Sequence, residues 1–168
     1  MTDATGVRMT RAYVGLGANL GNTRSTLNAA RDVLASLPGT RLAASSSWWR
    51  SAPIDADGPD FLNGVVALDT ALSPFELLDA LQAIEQSHGR TRPYRNAPRT
   101  LDLDLLLYGD AVIDDARLTV PHPRLLQRAF VVKPLLEIDP HLVIPQCSKL
   151  ADHLQAVESQ AIHRIEGP

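Results

Sequence analysis

The stretch Arg95-Asn96-Ala97-Pro98-Arg99-Thr100-Leu101-Asp102-Leu103-Asp104 sets two carboxylates two positions apart, directly after a run of arginines. Side chains alternate along an extended strand. Leu101, Leu103 and Leu105 therefore share one face, and Asp102 and Asp104 share the other, about 7 Å apart at Cα. A carboxylate pair on an otherwise apolar strand is costly unless a cation or hydrogen-bond donors compensate. Magnesium, a hard cation, commonly takes one or two carboxylates together with substrate phosphates. Alone, an Asp-x-Asp pair more often marks a solvated, salt-bridged face. The arginines shift that balance: Arg90, Arg92, Arg95 and Arg99 follow one another closely with no acid among them. Guanidinium groups stay charged and bind phosphate oxygens through paired hydrogen bonds. Acids that hold a metal and arginines that meet developing charge are the two halves of a phosphoryl-transfer site.

The flanking sequence supplies elements to position that segment. Residues 11–18 read as a strand ending in a turn at Asn19-Leu20-Gly21. Asn22 can cap a helix running to about Leu37, with Leu27, Ala30, Leu34 and Leu37 on one face and Pro38-Gly39 as the stop. Residues 40–50 read as a strand through Ser45-Ser46-Ser47, and Phe61 to Leu68 as another. Trp48 and Trp49 fall on opposite faces of their strand, one toward the core and one toward a site rim. Ser73-Pro74-Phe75-Glu76 is a helix start: an N-cap serine, proline at the first helical position, and a glutamate completing a capping box. Leu77, Leu78, Leu81 and Ile84 form its apolar stripe, and Gly89 ends it. The arginine segment lacks periodicity and reads as a loop, followed by a strand from Leu101 to Tyr108. Residues 117–123 are extended around Pro121 and Pro123. Residues 124–137 have helical spacing interrupted near Pro134, and a last helix is expected from Ser148 to about Glu158. The order predicts an α+β fold: a ferredoxin-like βαββαβ core, an antiparallel sheet flanked by helices, and extra C-terminal helices.

The same segment resembles the signature of the 6-hydroxymethyl-7,8-dihydropterin pyrophosphokinase family. That signature is a small residue, Pro and Arg, two further positions, then Asp, an aliphatic, Asp and two aliphatics. Ala97-Pro98-Arg99, Thr100-Leu101 and Asp102-Leu103-Asp104-Leu105-Leu106 match it throughout. The resemblance extends over about residues 11–145 through Gly17-Ala18-Asn19-Leu20-Gly21, Asp60-Phe61-Leu62-Asn63, Glu85 with Gly89-Arg90, and Leu118-Thr119-Val120-Pro121-His122. It implies diphosphate transfer from ATP to the hydroxymethyl group of the reduced pterin, with release of AMP, in folate biosynthesis. It implies two magnesium ions on Asp102 and Asp104, and Arg90 and Arg99 as the catalytic arginines. Arg92 and Arg95 would belong to a loop that closes over ATP, with Gln82, Glu85, Arg117, Thr119 and His122 as further ATP contacts. The pterin would lie between Phe61 and Phe130, read at its edge by Asn63 and by groups near Ser51, Pro53 and Ile54. Asn96 and Pro123 stand where the family often has aromatic residues.

Composition narrows the alternatives. A chain of 168 residues that is 45% hydrophobic supports one domain, taken as residues 11–168 behind a flexible extension at residues 1–10. A net charge of −3 argues against a nucleic-acid partner. No apolar run is long enough to span a bilayer and the first ten residues have no leader-like run, so no membrane role is expected. The single Cys147 cannot form an intrachain disulfide, and a cytoplasmic monomer is the expectation. Gly15-Leu16-Gly17 and the residues after it miss the dinucleotide-binding spacing by one residue. His88, His141, His153 and His163 lack metal-ligand spacing. Besides transfer to a pterin, the residues alone allow a metal-dependent nucleotide or phosphoester hydrolase, or a nucleotide-sensing or partner-binding module without chemistry.

Overall fold

The structure is a computed structural model that describes residues 6–19, 22–52, 60–88 and 101–165. Its centre is strand β4 (Phe61–Thr70), in which every residue after the first is buried. Strand β1 (Thr10–Ala18) lies antiparallel along one side, from Thr10 opposite Thr70 to Ala18 opposite Leu62. Strands β2 (Thr40–Ser45) and β3 (Trp49–Ser51) share the other side, each antiparallel to β4. Strand β5 (Asp102–Tyr108) pairs antiparallel with β1. The short β8 (Ile162–Arg164) pairs with β3 at the far edge. The order is β5-β1-β4-β3-β8, with β2 beside β3 along β4. A separate hairpin joins β6 (Ile113–Asp114) to β7 (Thr119–Val120).

Helices cover both faces, so the strands are apolar on both sides. Helix α1 (Thr23–Ala35) starts where the Asn22 side chain accepts a hydrogen bond from Ser25 N at 3.1 Å. Helix α2 (Pro74–Ser87) starts at the expected capping box, with Ser73 and Glu76 bonded reciprocally. Leu27, Leu34, Leu77 and Leu81 from these helices meet Val14, Leu16, Val66, Leu68, Leu103 and Leu105 from the sheet. On the opposite face, helix α3 (Ala129–Ile138) and the C-terminal turns bring Leu125, Val132, Leu135 and Leu150 onto Tyr13, Val65, Ala67, Leu106 and Leu107. Each fully buried leucine contributes roughly 1.5–3 kcal/mol.

Four expectations change. The strand expected over residues 40–50 is two strands, because serine side chains between them take up bonds that a regular ladder gives to the backbone. Ser46 Oγ accepts from Val65 N at 2.9 Å and donates to Ser47 O at 2.7 Å. Helix α1 ends two residues before Leu37, where the chain tightens toward Gly39 in a left-handed conformation (φ 57°). Helix α3 runs through Pro134 instead of breaking there. Proline costs one helical hydrogen bond, and burial of Val131, Val132, Pro134 and Leu135 around it offsets that loss. The break falls earlier, at the extended Arg128 between a short turn (Leu125–Gln127) and α3. Finally, the expected helix from Ser148 to Glu158 is two single turns, Leu150–His153 and Gln155–Val157. Too few hydrogen bonds form there to carry a continuous helix.

Candidate functional site

Strand alternation in β5 is as expected: Leu101, Leu103 and Leu105 enter the core under α1 and α2. Asp102 and Asp104 face the α3 side, half-buried and exposed respectively. An irregularity where Tyr13 pairs with Leu107 but Val14 with Leu105 leaves Leu106 as an extra residue. It places both Leu106 and Leu107 in the α3-side core.

Opposite the two acids, β1 carries glycines. Asp102 pairs with Gly17 and Asp104 with Gly15. Across β1, Gly17 pairs with Asn63 on β4, and Asn63 with Trp49 on β3. Directly opposed residues of an antiparallel pair share a face. A row of Asp102, Gly17, Asn63 and Trp49 thus crosses the α3 side of the sheet. Gly17 leaves room for the Asn63 side chain: a Cβ there would stand 2.8 Å from Asn63 Oδ1. The buried Asn63 lies across this bare backbone and donates from Nδ2 to Ser51 Oγ at 2.9 Å. Phe61, the residue opposite Ser51, falls on the same face, and Phe130 on α3 packs against the core of that side.

A second group of side chains approaches β5 from the segment after β7. The His122 backbone N–H donates to Leu106 O at 2.9 Å, fastening that segment to the free edge of β5. The Arg124 backbone N–H donates to His122 Nδ1 at 3.1 Å. Nδ1 therefore presents its lone pair, and the neutral ring keeps its proton on Nε2. Burial lowers the His122 pKa; Asp104 opposes that shift, and Arg128 and Arg124 add to it. Burial also lowers the Arg128 pKa, against the attraction of Asp104 and Asp102. The half-buried Arg128 guanidinium stands 5.3 Å from the Phe130 ring centroid. Arg124 and Arg128 were absent from the sequence-based candidates. Their signal was present as two further arginines within six residues of His122.

The remaining candidates lie elsewhere or engage other groups. Glu85 is 5% exposed, and its Oε2 accepts from the backbone N–H of Leu103 at 2.9 Å, between the two aspartates. Gln82 is exposed on α2, and Thr119 is exposed on β7. Arg117 is ion-paired with Asp79 of α2 and sits 5.8 Å from the Phe75 ring centroid. Trp48 is buried, with Nε1 donating to Asn28 Oδ1 at 3.0 Å and Gly64 leaving room for its ring. Trp49 is partly exposed on the site face. Arg90, Arg92, Arg95, Arg99, Pro53 and Ile54 lie outside the described residues.

The donor set on β5 fits magnesium. Both ligand candidates are carboxylates, which suit a hard cation, and substrate phosphates and water ordinarily complete such a site. Among the described residues no cluster of three or more His, Cys, Asp or Glu forms a self-contained metal cage. No helix among them is long and apolar enough to cross a membrane.

Fold and site together define an α+β protein with an antiparallel sheet, an acidic pair near Arg128 and His122, and a buried amide on the same face. Within that class the chain belongs to the 7,8-dihydro-6-hydroxymethylpterin-pyrophosphokinase (HPPK) family, whose model matches residues 13–140. It is 49% identical over 158 residues to the 2-amino-4-hydroxy-6-hydroxymethyldihydropteridine pyrophosphokinase of Pseudomonas aeruginosa, covering 94% of this chain and 98% of the relative. It is 48% identical over 138 residues to the protein of that name from Synechocystis, covering 82% and 71%. Its fold matches a Plasmodium falciparum HPPK-DHPS crystal structure with pterin and p-hydroxybenzoate, at TM-score 0.73 and 12% identity. That match covers 90% of this chain and 44% of the other, so this chain spans less than half the length of that one.

Proposed function

We propose that this protein transfers the β,γ-diphosphate of ATP to the hydroxymethyl oxygen of 6-hydroxymethyl-7,8-dihydropterin, releasing AMP, as a magnesium-dependent step of folate biosynthesis. The observation that carries this reading is the row across the sheet. Asp102 on β5 and Asn63 on β4 face the same side, separated only by the backbone of Gly17. One half of the row offers carboxylates for metal and phosphate. The other offers an amide and flanking aromatics suited to a flat heterocycle.

In the transfer, the pterin alcohol oxygen forms a bond to the β-phosphorus. The bridging bond to the α-phosphate breaks, AMP leaves with the electron pair, and the alcohol proton is lost. Asp102 and Asp104 would hold two magnesium ions, which supply charge neutralisation and in-line alignment of the phosphates. Neutral His122 donates a hydrogen bond from Nε2 to a phosphate oxygen. Arg128 keeps its positive charge beside the acidic pair and meets the negative charge of the transferring group. Asn63 and Ser51 fix the pterin edge, with Phe61 and Phe130 on its faces. By family resemblance Arg90 and Arg99 stabilise the transfer, and Arg92, Arg95, Gln82, Glu85, Arg117 and Thr119 serve ATP. Pro53 and Ile54 complete the pterin pocket.

The same reading takes the core as ferredoxin-like. The order β5-β1-β4 followed by β2 and β3, with α1 after β1 and α2 after β4, supports it. A cytoplasmic monomer acting on two small molecules is the form proposed.

An AMP-release assay tests the function. AMP should appear from MgATP only when hydroxymethyl-dihydropterin is present, and Asp104→Ala should lower the rate at least about a thousandfold, given the several kcal/mol that metal ligation supplies. AMP or ADP formed without pterin would replace transfer with hydrolysis. Near-normal turnover by Asp104→Ala would remove the metal assignment.

A further inference from the structure

Glu137 lies on α3 seven residues after Phe130, two helical turns along the same face. Its carboxylate receives three hydrogen bonds from the segment leading into β3. Ser47 N donates to Oε1 at 3.0 Å, Ser47 Oγ donates to Oε2 at 2.6 Å, and Trp49 Nε1 donates to Oε1 at 3.1 Å. Arg164 on β8 approaches Oε2 at 4.0 Å. The Glu137 side chain is 23% exposed, although the residue as a whole lies at the surface. Trp49 is the residue directly opposite Asn63, and Ser51, two positions further along β3, accepts from Asn63 Nδ2.

One carboxylate therefore ties the helix bearing Phe130 to the strand bearing Ser51. The α3 side chains buried around Phe130 (Ala129, Val131, Val132, Pro134 and Leu135) are apolar, and apolar contacts fix a separation less sharply than directional hydrogen bonds. A different polar tie of this segment to the sheet, Tyr13 OH to Asp139 Oδ2 at 2.6 Å, attaches the end of α3 to β1 instead.

We propose that Glu137 is a positioning residue for the pterin half of the site. Acting through Trp49 and Ser47, it holds β3 and its Ser51–Asn63 pair at a fixed spacing from Phe130. The inference rests on the pterin-transfer reading above. Glutamine at this position presents one carbonyl oxygen to three donors and turns an N–H₂ group toward them. The consequence belongs to pterin recognition and not to ATP, since none of the proposed ATP ligands lies on β3 or α3.

The test is steady-state AMP release by the full-length protein, varying pterin and ATP separately, with melting curves for each variant. Wild-type turnover with pterin establishes the underlying reading, and its absence would remove that reading before Glu137 is at issue. Given turnover, Glu137→Gln should raise the pterin KM about tenfold, the scale of losing one or two charge-assisted hydrogen bonds. The KM for ATP and kcat should stay within about twofold. Trp49→Phe, which deletes one donor from a partly exposed residue and should fold normally, should raise the pterin KM about threefold. The double variant should do less than the two effects combined, because both act through one contact. A lowered melting temperature with unchanged pterin KM, or equal rises in both KM values, would overturn the proposal. An unchanged pterin KM for Trp49→Phe would overturn the route through the indole even if Glu137→Gln failed to fold.

Discussion

Gly17→Ala is the sharpest probe of the row across the sheet. The new methyl carbon would stand 2.8 Å from Asn63 Oδ1, closer than nonbonded carbon and oxygen tolerate. Gly17 has no positive φ, so alanine brings no backbone strain. The atom in the way ends a side chain, so the strand can stay in place and Asn63 must yield. Yielding takes its amide from Ser51 Oγ, a bond of 2.9 Å between buried groups. Such a bond is worth about 0.5–1.5 kcal/mol net, or roughly two- to twelvefold in an equilibrium constant. The expected result is a pterin KM raised about three- to tenfold, with the KM for ATP little changed and unfolding easier by about 1 kcal/mol. Gly15→Ala is the matched control on the same strand and face. Its methyl would meet Leu106 carbons at 3.5–3.7 Å, ordinary contact, and kinetics and melting should match wild type within about twofold. Initial-rate assays over both substrates, with urea melts, decide the matter. A normal pterin KM in Gly17→Ala, or a larger defect in Gly15→Ala, would refute the placement of Asn63 over Gly17.

Two further perturbations test the supports of the site. Glu85→Ala leaves the Leu103 N–H without its buried acceptor, which should cost about 1–3 kcal/mol of stability. It should also raise the magnesium concentration needed for half-maximal rate, because Leu103 separates the two metal-ligand candidates; an unchanged magnesium titration would reduce Glu85 to a stability role. At the opposite end of β1, burial of Asp69 works against its charge, yet its bonds to Arg11 and Arg41 prevail and lower its pKa. Its contribution is therefore complete above the unfolded value near 4 and is lost as pH falls through the lower folded value. Asp69→Asn should cost about 1–2 kcal/mol at neutral pH, less than a fully buried pair because both arginines remain partly in solvent. It should also flatten the acid limb of a urea-midpoint profile between pH 7 and pH 2. An acid limb as steep as wild type would assign that limb to other carboxylates.

Local chemistry made several elements legible in the sequence. Ser73, Pro74 and Glu76 specify a helix start from their own side chains, and the capping box forms. The Leu-Asp alternation of residues 101–105 carries its own face assignment, which the core clusters reproduce. Nonlocal elements were illegible. Strand β8 is three residues whose pairing depends on β3 being nearby, and nothing in Ile162-His163-Arg164 marks it. The break between β2 and β3 depends on Val65 and Glu137 as distant partners for Ser46 and Ser47. Within the site, the acids are legible from spacing, whereas Arg124 and Arg128 are marked only by their nearness to His122 in the chain. Helical spacing over residues 124–137 does not say which way these arginines face, and the tie of His122 to Leu106 brings that segment to β5.

Strand β1 separates the acid strand from the amide strand and contributes only backbone between Asp102 and Asn63. Their distance is thus set by two sheet spacings, about 10 Å, a length fixed by peptide hydrogen bonding that side-chain substitution barely alters. Mutational drift can reshape either half of the row without changing how far apart the halves stand. A ruler made of main chain leaves the reach from phosphate to acceptor alcohol insensitive to sequence. A bulkier acceptor would have to be accommodated at the outer rim, toward Phe61 and Trp49, and not along the line of transfer.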